Sequence, residues 1–248
     1  MSKSTGNFMT LGQCMKKYGT DASRLALADC GDTLDDANFD EAVANQAILK
    51  LFVFDQWVET NMAKQPLDFS KDDPSKYQLW DKLMMNEINE ALKTAKHDYQ
   101  EMKYKQIIVL FNHMLGIKES YIIAKGGETN PYIIARYVEA FLTIMNPIVP
   151  HFCQHVWQSK VYPIIKQGNT NEVLMKNGWP EAGVTDKALA AQLKYLEGTK
   201  REIRLALDKA KSGGKKKGKG GKGAPAAAEV PMESCIVAIG KTFPEFQQ

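Results

Sequence analysis

Apolar residues recur at helical spacing through most of this chain, and that period limits the fold more than any other feature. Val43, Ala47, Leu51, Phe54 and Val58 form the first such stripe. Spacing of three and four places these side chains on one face of a helix and predicts a long helix from Asn38 to about Lys64. A connector over 65–74 leads to a second long helix, about 75–99. A third begins near Tyr104 and carries Ile107, Ile108, Leu110, Phe111 and Leu115. Gly126-Gly127 and Asn130-Pro131 mark the next turn, and Pro131 in a first turn starts a fourth helix toward Met145. Pro147 and Pro150 break it, and a short helix follows through Trp157. Residues 161–183 read as irregular, and 187–211 as a final basic helix. Successive long helices with short joints predict a mainly α fold, an antiparallel helical bundle.

The flanks are different. Residues 1–9 read as loop. Thr10 is the expected N-cap of a short helix that ends near Gly19. Thr20 or Asp21 is the expected cap of a second helix over 22–30, which Gly31 stops. Beyond the bundle, 212–228 is Gly, Lys and Ala with no apolar side chain large enough to offset chain entropy, so disorder is expected there. Residues 232–239 alternate as one strand, with Cys235, Val237 and Ile239 on one face. A lone strand needs a sheet to join, so further protein is expected to follow. The expected organisation is 1–37 as the end of a larger core with connector helices and 38–211 as the bundle. The linker is 212–229, and 230–248 starts a further domain.

A net charge of +3 hides an asymmetry. Residues 194–222 hold eleven Lys or Arg against three acids, which puts that segment at +8 and the remainder at −5. Lys194, Lys200, Arg201 and Arg204 on the last helix, with Lys215, Lys216, Lys217, Lys219 and Lys222 beyond it, form the best polyanion site. The competing reading is a solvated face and a solubilising linker. No apolar run reaches the roughly eighteen residues that span a bilayer, so no membrane partner is expected. The polar N-terminus is not a secretory signal. Four cysteines, Cys14, Cys30, Cys153 and Cys235, form no Cys-x-x-Cys pair and read as reduced thiols of a cytosolic protein.

Other constellations read as structural. Asp29, Asp32, Asp35, Asp36 and Asp40 lack the alternation and central Gly of a calcium loop. His151, Cys153 and His155 lack a fourth ligand, so no protein-bound metal is expected. Asp21 and Arg24 stand one turn apart, as a local cap and ion pair would. Trp57, Tyr77, Trp80, Tyr99, Tyr104, Phe111, Tyr121, Tyr132 and Tyr137 read mostly as core, with one or two free to stack on RNA bases.

The N-terminus carries the chemistry. Met1-Ser2-Lys3-Ser4-Thr5-Gly6-Asn7 matches the tail of Lys-Met-Ser-Lys-Ser followed by Thr-Gly-Asn, with the motif's first lysine expected just before Met1. A lysine on a flexible stem suits charge that develops on a departing pyrophosphate. Gly19-Thr20-Asp21-Ala22-Ser23-Arg24 and Gly31-Asp32-Thr33-Leu34-Asp35-Asp36-Ala37-Asn38-Phe39 follow. Together these runs resemble the leucyl-tRNA synthetase family of cytosolic eukaryotic and archaeal type, within class I. The resemblance continues through Pro147-Ile148-Val149-Pro150-His151, Trp157 and Trp179-Pro180.

The resemblance implies a cytoplasmic leucine–tRNA ligase as the parent, of which this chain is a C-terminal portion with an anticodon-binding-like bundle. It implies that Met1, Ser2, Lys3 and Ser4 form the ATP and pyrophosphate loop, with Lys3 catalytic. It places Asp21 and Arg24 beneath that loop as support, and makes His151 a buried polar anchor at the helix junction. It implies leucine, ATP with Mg²⁺ and tRNA(Leu) as substrates, and other synthetases as further partners. With the nucleotide pocket encoded elsewhere, the chain alone is expected to be inactive. The alternative is a non-catalytic helical module that binds tRNA or protein. Coding sequence upstream of Met1 separates the two.

Overall fold

The computed structural model describes residues 6, 8–31, 39–165 and 170–211. The loop at 1–5, most of the acidic turn, the Lys/Gly linker and the expected C-terminal strand lie outside the described residues. Among the described residues the regular structure is helical throughout, without a strand.

Each helix starts where a side chain can serve its free N–H groups. α1 (Leu11–Tyr18) opens with a reciprocal cap. Gln13 N donates to Thr10 Oγ1 at 3.3 Å, and Thr10 N donates to Gln13 Oε1 at 2.9 Å. Gly19, at φ +78°, turns the chain straight into α2 (Thr20–Cys30). Neither Thr20 nor Asp21 is therefore the cap; both lie inside the helix. α3 (Glu41–Asn61) begins later than Asn38 because Asp40 Oδ1 accepts from Ala42 N at 2.8 Å. Two 3₁₀ turns follow, Phe69–Lys71 and Pro74–Lys76, and each is capped by an Asp that accepts from a Ser two residues on. α4 (Leu79–Gln100) and α5 (Tyr104–Lys125) are joined by three residues, and Gly126 ends α5 in the left-handed region. Asn130 caps α6 (Pro131–Met145).

Beyond the Pro147–Pro150 corner the structure departs from expectation. α7 (Pro150–Val156) continues through a wider π-type turn, Trp157–Val161, into α8 (Tyr162–Ile165). Residues 161–165 are thus helical rather than irregular. The widened turn just before Pro163 relieves the clash a proline makes in a regular helix. A 3₁₀ turn at Leu174–Asn177 and an extended strap lead to α9 (Lys187–Lys211). Residues 1–191 form one compact unit, and the described residues from Gln192 on, the remainder of α9, belong to a second.

The core of the first unit is aromatic. Phe54 of α3 stacks on Phe141 of α6 with centroids 3.8 Å apart, and Phe111 of α5 meets Phe141 at 5.6 Å. All three are fully buried. Tyr137 and Trp157 are buried too, and each spends its polar tip on a carbonyl, Met114 O at 2.8 Å and Asn171 O at 3.0 Å. α5 runs antiparallel to α4. Tyr121 near its end donates to Asp81 at the start of α4, at 2.6 Å, and His113 meets Glu87 at 2.8 Å. By length and mean hydropathy α5 could cross a membrane, but its Ile107, Ile108 and Phe111 are buried among the packed helices. It is a core helix.

Candidate nucleic-acid interface

The proposed pyrophosphate loop, Met1, Ser2, Lys3 and Ser4, lies outside the described residues, as do Lys215, Lys216 and Lys217. Gly6 is described and sits at φ +70°, where a side chain would be strained.

Asp21 and Arg24 are brought together, but they bond to the same distant corner rather than to each other. The Asp21 carboxylate accepts from Phe152 N at 2.6 Å and meets His151 Nδ1 at 2.9 Å. Arg24 donates through Nε to Ile148 O at 2.8 Å and through a terminal nitrogen to Pro147 O at 2.7 Å. Phe152 lies in the first turn of α7, whose N–H groups have no partner within the helix. A carboxylate there satisfies a donor and faces the positive end of the helix dipole. The two side chains therefore pin α2 to the Pro147–Pro150 corner. His151 is not buried. Its side chain is 75% exposed, held by Asp21 at the rim of the corner. The anchor beneath the corner is therefore the acid, largely buried, and not the histidine.

α9 carries Lys194, Lys200, Arg201 and Arg204. Lys194, Arg201 and Arg204 are exposed, and Lys200 is half-buried, 3.9 Å from Glu197. At 3.6 residues per turn the four fall within an arc of about 120°. Glu197 and Asp208 share that arc and lower its net charge.

Of the nine aromatics weighed for stacking, Tyr77, Phe111, Tyr121 and Tyr137 are buried, and Tyr104 is the exposed one. Burial, together with Asp72 for Tyr77 and Asp81 for Tyr121, pushes both phenols up from the ordinary range. No group of three His, Cys, Asp or Glu among the described residues could hold a metal ion. Cys153 is fully buried, and burial raises its thiol well above the usual value. Sequence patterning passed over the polar edge of α4, where Asn86, Asn89 and Lys93 hold the strap before α9. Their i, i+3, i+7 spacing was the available signal.

Residues 81–225 match the anticodon-binding domain of tRNA ligases. The chain belongs to that family. The match begins in the first turn of α4 and runs through α9 into the lysine-rich segment. Across its whole length the chain is 34% identical to the cytoplasmic leucine–tRNA ligase of Saccharomyces cerevisiae, of which it covers 21%. It is 30% identical to that of Pongo abelii, covering all of this chain and 20% of the relative. The chain thus spans about a fifth of the curated relatives it matches. Its fold resembles that of Agrobacterium radiobacter K84 agnB2 LeuRS, solved in a ternary complex with tRNA and LeuAMS. The TM-score is 0.54 over 74% of this chain and 22% of that one, at 16% identity. As a family member, the chain carries an anticodon-binding domain of the tRNA-ligase type. The Asp21–Arg24 clamp and the N-terminal loop precede the matched region.

Proposed function

We propose that this chain is the tRNA-binding part of a cytoplasmic leucine–tRNA ligase. The observation that carries the reading is the match over 81–225, which takes in both the packed helices and the basic α9. The whole protein joins leucine to ATP, delivered as its Mg²⁺ complex, and passes the leucyl group to tRNA(Leu). ATP and Mg²⁺ are substrate here, not resident cofactors. Residues 38–211 act as an antiparallel bundle, and 1–37 as the end of the catalytic core with its connector helices. Residues 212–229 serve as a linker to a further domain.

Within this reading each part has a task. Lys3, on the Met1–Ser4 loop, stabilises charge on the departing pyrophosphate. Asp21 and Arg24 are positioning residues: by fixing α2 to the Pro147–Pro150 corner they hold the base of that loop against the bundle. Lys194, Lys200, Arg201 and Arg204, with Lys215, Lys216 and Lys217, meet tRNA phosphates and set position rather than sequence preference.

Ultraviolet crosslinking of a tRNA(Leu) transcript to the chain tests the reading. Crosslinked peptides are expected from 187–222 and from the bundle. A chain that retains no transcript at low salt overturns it.

A further inference from the structure

Around the joint between α4 and α5 the chain reads Glu101-Met102-Lys103-Tyr104-Lys105, and all five residues are exposed. Met102 sits at φ +56°, and no other non-glycine residue among the described ones has a positive φ. A bulky side chain is strained there, where glycine or asparagine would hold the turn at lower cost. It is also 70% exposed, although apolar. Tyr104, two positions on, is 43% exposed. An edge-on contact with Tyr99 at 6.3 Å covers at most one face of its ring. Strained backbone of this kind clusters where a chain clamps a ligand.

Behind the joint lies a cleft of about 560 Å³, within the range of ligand sites, about 300–1,000 Å³. Tyr99 and Tyr104 give it aromatic lining, and Leu27 and Ile148 give it aliphatic lining. Arg24 and Pro147 line it as well. Arg24, Leu27, Tyr104 and Pro147 are all exposed, so an entering molecule can reach them. The Arg24 guanidinium is held by Ile148 O and Pro147 O, and its second terminal nitrogen has no partner among the described residues. An apolar cleft alone would suit a protein side chain. A guanidinium in the lining, with a lysine on either side of Tyr104, favours a flat ring that carries phosphate.

We propose that this cleft receives an unpaired tRNA base, stacked on Tyr104 beside the Arg24 guanidinium, with the adjoining phosphates met by Lys103 and Lys105. The proposal rests on the tRNA reading above. Single strands are generally held in this way, by aromatic rings set in a cationic groove, and stacking of this kind tolerates any base. A free nucleotide offers the same chemistry, so the test separates the two sources.

Methyl NMR of the full chain, read at Leu27 and Ile148, would follow titration with AMP, CMP, GMP and UMP, with an RNA pentamer of each base, and with a tRNA(Leu) transcript. Shifts at both residues are expected with at least one pentamer and with the transcript. Tyr104→Ser should weaken the pentamer about tenfold, whereas Tyr104→Phe, which keeps the ring, should bind it as the intact chain does. Lys103→Ser should lower the slope of log affinity against log salt by about 0.7, the share of one phosphate on a single strand. That exposed position keeps the test open if Tyr104→Ser does not fold. Equal pentamer affinity for a folded Tyr104→Ser overturns the stacking. No shift with any RNA while the transcript binds overturns the proposal and leaves the cleft to a protein side chain. Shifts with a monophosphate but not with bound transcript make it a free-nucleotide site and overturn the tRNA assignment, while the tRNA reading stands. A transcript that does not bind at all removes that reading, and the tRNA base with it.

Discussion

Asp21 accepts the backbone N–H of Phe152 at 2.6 Å, so a residue in the first turn of α2 caps a helix that begins 129 positions later. Arg24, one turn on, takes the carbonyls of Pro147 and Ile148 on the other side of the same corner. A short Gly-x-Asp-x-x-Arg step thus works as a clamp with an acceptor and a donor arm. The carboxylate serves free N–H groups, and the guanidinium serves free C=O groups.

Removing the acceptor arm should loosen α7 first. Asp21→Ala is expected to destabilise the chain by about 1–2 kcal/mol, the range for a lost helix cap with its dipole contribution. Asp21→Asn, which keeps an acceptor, should lose less. Urea unfolding gives the energy, and amide exchange at Phe152 gives the place. Unchanged protection of that amide in Asp21→Ala would show that the cap does not hold the helix.

The donor arm depends on shape as well as charge. Lysine brings one ammonium where arginine brings a planar fork, so Arg24→Lys should lose about 1 kcal/mol. Combined with Asp21→Ala the losses should not add, because both arms hold one corner. Strict additivity in a double-mutant cycle would mean that the two act independently.

The helices could be read in advance because period and punctuation agree. Phe54, Phe111 and Val58 sit where the stripes put them, and Pro131 and Gly126 stand at helix ends as turn chemistry requires. The clamp could not. Asp21 beside Thr20 looks like a local cap, and only tertiary structure shows that Gly19 has taken that role and left the carboxylate for α7. The exposure of His151 was hidden for the same reason, since a residue's side of a proline corner depends on what packs beneath it. Residues 161–165 read as irregular because the widened turn at Trp157–Val161, which lets the helix run on through Pro163, has no signature in one sequence. Nor could the strap be foreseen, since Asn86 meets Asp186 a hundred residues away.

Alkaline pH should unfold the first unit. Tyr77, Tyr99, Tyr121 and Tyr137 all have phenols raised above the ordinary range, chiefly by burial. A group whose folded value lies above its unfolded value binds more protons in the folded state over that interval. Its stabilisation is complete below about pH 10, the unfolded tyrosine value, and is lost as pH rises through the folded values. Ultraviolet titration of tyrosinate alongside helical circular dichroism should show most buried phenols ionising together with unfolding. Smooth ionisation near pH 10 with the helices intact would count against the buried assignments.

In the full-length protein, Lys3→Ala should slow leucine activation by about two to three orders of magnitude, as for loss of one oriented charge in a transition state. Leucine KM should change little, because in the proposed role the charge acts on developing pyrophosphate. Pyrophosphate exchange kinetics decide it: a normal rate with weakened leucine binding refutes the role. The chain by itself should support no exchange.

The basic segment should make tRNA binding dependent on salt. Residues 194–222 hold +8 of a chain whose total is +3. On α9, Glu197 and Asp208 share the cationic arc, so that face alone is a weaker polyanion site than its lysines and arginines suggest. The lysines beyond it have no acid among them from 215 to 222. Phosphate contacts release counterions, and each one neutralised adds roughly 0.7–0.9 to the slope of log affinity against log salt. Changing Lys215, Lys216, Lys217, Lys219 and Lys222 to Ser should therefore flatten the slope measurably and weaken binding at low salt. The effect should be uniform across tRNA species, since phosphate contacts carry no sequence information. Filter binding at several salt concentrations would compare the intact chain with this variant and with Arg201→Ala/Arg204→Ala. Identical affinities and slopes for the intact chain and the serine variant would reduce the tail to a linker. A flattened slope in the α9 variant would then place the contacts on the helix.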